Sequence, residues 1–105
     1  MSNRIEDLLN PRFFKALCDG TRLSILSRIA CCEEPKTVSQ IASCCPIDMS
    51  VVSRHLAILR DAEIVAASKK GKEVFYSVQV GKVVKMLRDL ADALEACCPP
   101  ETSLT

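Results

Sequence analysis

The chain has 105 residues, of which 49% are hydrophobic and 26% charged, and its formal net charge is +1. This length provides one globular domain with one core, and no apolar run approaches the roughly 18 residues that span a bilayer. The low net charge and the 4% aromatic content do not indicate nucleic-acid binding, so that function would depend on local charge placement. Glu6 and Asp7 do not fit a signal peptide, and we expect a cytoplasmic protein.

The first predicted helix lies between Ile5 and Leu17, where apolar residues recur at steps of mostly three and four. Pro11 lies inside this pattern and is expected to delay the regular helix to about its own position. Asp19 is the predicted cap of a second helix, which ends near Cys31-Cys32.

A capping box predicts the start of the third helix, because Thr37 and Gln40 have the Thr-x-x-Gln spacing in which each side chain bonds the other's backbone N–H. This helix continues to about Cys44. Asp48 is the predicted cap of a fourth helix, which runs from position 49 to about position 61.

The hydrophobic period then changes to that of short strands, at positions 65–68 and 74–78, and the polar segment 69–72 between them predicts a hairpin. A last helix begins near Val80. Its apolar face contains Val80, Val83, Val84, Leu87, Leu90, Ala91 and Leu94. The predicted fold is mostly α with a β-hairpin wing, in the order α-α-α-α-β-β-α, with one domain at 1–98 and a disordered tail at 99–105.

The fourth helix divides into two faces. Val52, Leu56 and Leu59 have the spacing of a core-facing stripe, and small or polar residues occupy the other side. Slim side chains let a helix enter the DNA major groove, and an arginine beside them reaches bases or phosphates. The predicted DNA-binding residues are Ser50, Val51, Ser53, Arg54, His55, Lys69, Lys70 and Lys72.

A solvated helix face and a soluble lysine turn are the alternative interpretation of these residues. The capped third helix, the polar stripe and the basic hairpin nevertheless follow one another in the order of a winged helix-turn-helix. The sequence therefore favours a protein that binds double-stranded operator DNA.

Six of the seven cysteines form adjacent pairs, Cys31-Cys32, Cys44-Cys45 and Cys97-Cys98, and Cys18 stands alone. Neighbouring Cα atoms lie about 3.8 Å apart, which is too close for an unstrained disulfide. In a reducing cytoplasm such pairs are open dithiols, which suit soft thiophilic ions or redox sensing.

Three segments carry a family resemblance. Residues 13–23, the helix segment 52–62 and the hairpin segment 71–76 resemble the opening, the recognition helix and the wing of the ArsR/SmtB family of metalloregulators. The resemblance implies a homodimer, not an enzyme, that represses its operator and releases it when an inducer, commonly a metal or metalloid, binds.

The ligand positions of the two best-known sites of that family are not retained. The positions of the usual thiolate site are Thr37, Ser39 and Ala42, and those of the usual zinc site are Val80, Lys82, Ala93 and Ala96. With one histidine in the chain, an all-thiolate site for a soft ion remains. Its first candidates are Cys97 and Cys98, with Cys31 or Cys32 as a further ligand, whereas Cys44-Cys45 is interpreted as a structural turn and Cys18 as a packing residue.

Arsenite or antimonite is the expected inducer, because one vicinal pair and one further thiolate supply the roughly three ligands that these ions favour. Mercury, which needs about two thiolates, or cadmium, which needs about four, is the alternative ion. A thiol-redox-responsive repressor of the same fold is the alternative. A thiol enzyme or a metal-buffering protein is disfavoured, because no constellation of residues that would activate a nucleophile is visible. No organic cofactor and no membrane partner are expected.

Overall fold

The structure, a computed structural model, describes residues 5–31, 34–44 and 47–97, so the predicted tail lies outside the described residues. The elements are α1 (Ile5–Leu8), α2 (Pro11–Ala16), α3 (Gly20–Ala30), α4 (Val38–Cys44), α5 (Met49–Asp61), β1 (Val65–Lys70), β2 (Glu73–Val78) and α6 (Val80–Cys97). This order confirms the mostly α fold with a β-hairpin. Within the described ranges, no helix has both the length and the apolar content to cross a membrane.

The first predicted helix is in fact two helices, α1 and α2, so the fold has one helix more than expected. Helix α2 begins at Pro11, as expected, and α1 is a separate short helix before it, because proline lacks the N–H that would continue the preceding turn. The Oδ1 atom of Asn10 accepts hydrogen bonds from the backbone N–H groups of Arg12 (3.0 Å) and Phe13 (3.3 Å), which caps α2.

Two of the three predicted helix caps are confirmed. The Asp19 carboxylate accepts from the backbone N–H of Arg22 at 3.0 Å. Thr37 and Gln40 make both bonds of the capping box, at 2.9 and 3.2 Å. The third prediction is wrong in its chemistry, because Asp48 occupies the N-cap of α5 but its exposed side chain makes no capping hydrogen bond.

The hairpin is longer than predicted, because Lys69 and Lys70 continue β1 and leave Gly71 and Lys72 as a two-residue turn. Gly71 has φ +65°, as the first central residue of a type II′ turn requires. Lys36 adds a short bridge to the other edge of β2, where its backbone N–H donates to the Tyr76 carbonyl at 3.0 Å and its carbonyl accepts from the Tyr76 N–H at 2.7 Å. This bridge attaches the approach to α4 to the wing.

One hydrophobic core contains residues of α2, α3, α4, α5 and the hairpin. Its buried residues are Phe13, Ala16, Ile25, Ile29, Ile41, Val52, Leu56, Leu59, Ala62, Ile64, Val65 and Tyr76. The predicted inner stripe of α5 is confirmed, because Val52, Leu56 and Leu59 are each 0% exposed. The core therefore fixes which face of α5 remains available to a partner.

Helix α6 contributes no fully buried residue. Val83 and Met86 pack against the core from one side of the helix. Its other side carries the exposed apolar residues Val80, Val84, Leu87 and Leu94. The apolar face predicted from the sequence is therefore two stripes, of which one is directed to the core and one outward.

A left-handed residue ends α5. Glu63 has φ +63°, its backbone N–H donates to the Arg60 carbonyl at 2.9 Å, and the Ile64 N–H donates to the Leu59 carbonyl at 2.9 Å. These two bonds form a Schellman motif, in which glycine is the preferred residue at the position of Glu63. A side chain at this position costs about 1 kcal/mol.

Replacing Glu63 with glycine is expected to raise the free energy of unfolding by about 0.5–1 kcal/mol, since the backbone strain outweighs the exposed ion pair of Glu63 with Lys82. The measurement is urea denaturation at one protein concentration. The Glu63→Gln variant is the matched control, because it removes the charge but keeps the strain. A Glu63→Gly variant no more stable than the control would contradict this reading of the turn.

Candidate nucleic-acid interface and thiol sites

The outward face of α5 is accessible at each position that the sequence assigned to DNA. Ser50, Ser53 and Arg54 are exposed, and Val51 and His55 are half-buried. Helix α4 packs on α5 and the two lie close together in sequence, which gives the helix-turn-helix arrangement. The slim N-terminal half of α5 is thus the part that a DNA groove could receive.

The buried side chain of Arg22 contacts α5 through His55, and the sequence analysis did not predict this contact. Arg22 is 9% exposed, and its Nη1 atom lies 3.2 Å from Nδ1 of His55. The available signal was its place in α3, because Arg22 precedes the buried Ile25 and Ile29 by three and seven residues and so interrupts their apolar stripe. A cation in such a stripe requires polar partners inside the fold.

Asp19 lies beside this arginine. The hydrogen bond from the Arg22 backbone N–H lowers the pKa of the Asp19 carboxyl below its ordinary value of 3.8, and the positive charge of Arg22 acts in the same direction, while partial desolvation opposes both. Because the folded state lowers this pKa, the carboxylate contributes stability that is present above pH 3.8 and is lost as the pH falls through the lowered pKa.

We therefore expect the wild-type chain to lose thermal stability more steeply below pH 3.8 than an Asp19→Asn variant. Asparagine retains the capping oxygen but does not titrate. The measurement is the melting temperature of both proteins along a descending pH series. Parallel curves would show that Asp19 does not contribute to acid sensitivity.

The sequence predicts all three wing lysines between the two strands, but they do not all lie in the hairpin turn. Lys72 is in the turn, but Lys69 and Lys70 lie within β1, where successive side chains point to opposite faces. All three are exposed. Lys70 stands opposite Glu73 in the hairpin, so an acidic group offsets the charge of that face, whereas Lys69 stands opposite Val74.

The three cysteines whose side chains the structure describes are all exposed free thiols. Cys97 is the last residue of α6, Cys31 is the C-cap of α3, and Cys18 lies in the turn before α3. The interpretation of Cys18 as a packing residue is wrong, because this turn faces solvent. Cys32, Cys45, Cys98 and the Cys44 side chain lie outside what the structure describes, so none of the three pairs is seen whole.

Among the described residues, no group of three or more His, Cys, Asp or Glu side chains is arranged to hold a metal ion. Cys31 and Cys97 therefore do not form a three-ligand cluster with any other described residue of one chain. Cys97 lies at a shallow depression of about 350 Å³, beside Leu8 of α1 and Asp92 of α6. Two positions that correspond to metal-ligand positions of the resembled family have other roles in this chain. Thr37 caps α4, and Lys82 pairs with Glu63.

A family model described as a helix-turn-helix domain matches residues 17–66, from the end of α2 to the beginning of β1. The chain is 38% identical to a probable mercury resistance operon repressor of Streptomyces lividans, over 82% of this chain and 73% of that protein. It is 33% identical to the arsenic resistance transcriptional regulator ArsR1 of Pseudomonas putida, over 91% and 77%.

A transcriptional repressor SmtB homolog of Synechocystis is 34% identical over 79% of this chain, and the chain spans 61% of that protein's length. Among solved structures, a homodimeric winged helix-turn-helix DNA-binding domain of Mycobacterium bovis, described as a possible ArsR-family regulator, has a TM-score of 0.66. It is 26% identical, with coverage of 100% of this chain and 96% of that one.

The fold and these likenesses define a winged helix-turn-helix transcriptional regulator. The chain belongs to the ArsR/SmtB family, as the three resembling segments predicted. Members of this family are transcriptional regulators and not enzymes, which agrees with the function class expected from the sequence.

Proposed function

We propose that this chain is a cytoplasmic homodimeric repressor that binds operator DNA through α5 and the wing and leaves the DNA when a soft ion binds its thiolates. The proposal rests mainly on the exposed polar face of α5. This face is directed to solvent because Val52, Leu56 and Leu59, on the other side of the helix, are buried in the core. Exposed lysines on the hairpin supply cations for phosphates on either side of the groove.

The outer stripe of α6 supports the dimer. Leu87 is 43% exposed and Leu94 46%, and Leu9, just after α1, is 47% exposed. Because α1 packs on α6, these residues lie on neighbouring elements at one side of the molecule. A second copy that covers the same surface would bury the stripe symmetrically and set the spacing of two α5 helices.

The thiols support an arsenite or antimonite inducer, with mercury or cadmium as the other candidates. Relatives of the chain are named for resistance to arsenic and to mercury. Cys97 is accessible at the end of the helix proposed for the dimer contact, so an ion bound there with Cys98 would act on that contact. Cys31-Cys32 is the proposed source of a third thiolate. A coupling free energy of about 3 kcal/mol would lower DNA affinity more than 100-fold.

The test uses a DNA duplex selected from a random library by the reduced protein, with binding followed by fluorescence anisotropy. Arsenite is expected to release the wild-type chain under full reduction, and a variant with Cys97→Ser and Cys98→Ser is expected to stay bound at the same arsenite concentration. Cys18→Ser is the matched control, because it removes an exposed but solitary thiol and should respond like the wild type.

Normal release of the double variant would refute the C-terminal assignment. Release by peroxide but not by arsenite would instead support a redox-responsive repressor. Failure of the reduced wild-type chain to select any duplex would contradict the proposed function itself.

A further inference from the structure

The buried guanidinium of Arg22 connects three helices. Its Nε atom donates to the Ala16 carbonyl at 2.6 Å, and Nη2 donates to the Lys15 carbonyl at 3.4 Å. Both carbonyls lie in the last turn of α2. The Lys15 carbonyl also accepts from the backbone N–H of Cys18 at 3.1 Å, so the guanidinium gives it a further donor. The remaining nitrogen, Nη1, lies 3.2 Å from Nδ1 of His55 on α5. One cation therefore joins the end of α2, the first turn of α3 and the helix proposed to enter DNA.

The contact with Arg22 decides where the proton of His55 lies. A guanidinium carries only donors, so a hydrogen bond between the two groups requires Nδ1 of the imidazole to accept. A neutral imidazole that accepts at Nδ1 carries its proton at Nε2. Nε2 lies on the opposite side of the ring from the buried arginine, and His55 itself is half-buried beside the exposed Arg54.

We infer that Arg22 is a positioning residue for DNA recognition, which holds His55 as an Nε2–H donor toward an acceptor atom of the DNA. The inference rests on the proposed function, because it takes α5 as the helix that enters the groove. Phosphate oxygens and the O6 and N7 atoms of guanine are acceptors that this donor fits. The other tautomer would present a lone pair instead and could bind neither.

A purely structural role of Arg22, as a cap for α2, would leave the tautomer of His55 unconstrained. Nitrogen NMR separates the two roles without ambiguity, because His55 is the one histidine of the chain. We expect two-bond proton–nitrogen spectra of the reduced full-length protein, at mildly alkaline pH, to show Nε2 protonated and Nδ1 unprotonated. In an Arg22→Met variant, which fills the space but donates nothing, the form with protonated Nδ1 is expected to appear.

The same inference makes a prediction for DNA affinity, measured on the duplex that the wild-type chain selects. The His55→Leu variant lacks the donor and is expected to bind about tenfold more weakly. Glutamine can accept from Arg22 through its carbonyl and donate through its amide, so a His55→Gln variant should lose clearly less. If the His55→Leu variant also loses affinity for an unrelated duplex, the acceptor is a phosphate. If it loses affinity for the selected duplex alone, the acceptor is a base.

A wild-type spectrum with protonated Nδ1, or an Arg22→Met spectrum identical to that of the wild type, would overturn the inference. If Arg22→Met does not fold, the wild-type spectrum and the comparison of His55→Gln with His55→Leu still decide it. Tight wild-type binding with equal losses in those two variants would overturn this inference alone. Absence of any DNA binding by the wild-type chain would overturn the proposed function.

Discussion

A Leu87→Glu variant should be monomeric at concentrations at which the proposed wild-type homodimer forms. Leu87 lies on the outer stripe of α6 with 43% of its surface exposed. In a two-fold dimer each substitution enters the interface twice, and a carboxylate without a partner is costly to remove from water. We expect the dimer dissociation constant to rise by about 10³-fold or more, which corresponds to about 4 kcal/mol. Analytical ultracentrifugation measures it.

The matched control for this variant is Leu23→Glu. Leu23 is 45% exposed, but it lies on α3, away from the proposed interface, and the same change there should leave the dimer intact. Because two linked reading helices bind far more tightly than one, the Leu87→Glu monomer should also bind the selected duplex about 10²-fold more weakly. A Leu87→Glu protein that remains dimeric would exclude this face of α6 as the contact.

Replacing Arg54 with alanine should weaken DNA binding strongly while leaving the fold and the thiols unchanged. Arg54 is exposed on the outward face of α5 and so can be removed without a cavity. A good arginine contact is worth about 1–3 kcal/mol, and a dimer carries two, so we expect a loss of about 30-fold or more. Fluorescence anisotropy on the selected duplex provides the measurement.

The control on the same helix is Arg60→Ala. Arg60 is also exposed, but it lies in the last turn of α5 and on a different face, so its removal should change affinity much less. Arsenite binding should be equal in both variants and the wild type. If Arg54→Ala loses both DNA and arsenite binding, misfolding explains the result, and if it loses neither, α5 does not read DNA through this residue.

Sequence spacing was sufficient to predict which face of α5 is buried, because each face of this helix has a single role. Val52, Leu56 and Leu59 follow the helical period and are buried. Ser53 and Arg54 lie on the other side, as predicted, and are exposed. Local capping chemistry was likewise readable for Asp19 and Thr37, because the partner lies three residues away. These features depend on near neighbours in the chain, which a sequence displays directly.

Tertiary contacts explain what the sequence did not reveal. The contact of Arg22 with His55 joins residues 33 positions apart, and no local pattern encodes it. Cys18 is exposed in the turn between α2 and α3, and its place in the sequence does not show which way that turn faces. The ligand set of the proposed soft ion is not encoded locally, because a vicinal thiol pair can bind an ion within one chain or across two.

Because α6 has one stripe on the core and one toward solvent, the stability of the proposed homodimer should depend on protein concentration. The inner side of α6 packs on the core, and its outer side stays in contact with water unless the proposed second copy covers it. Unfolding would then require dissociation as well, so the midpoint of thermal unfolding should rise with protein concentration. The number of copies in a cell would set both the stability of the regulator and the occupancy of its DNA.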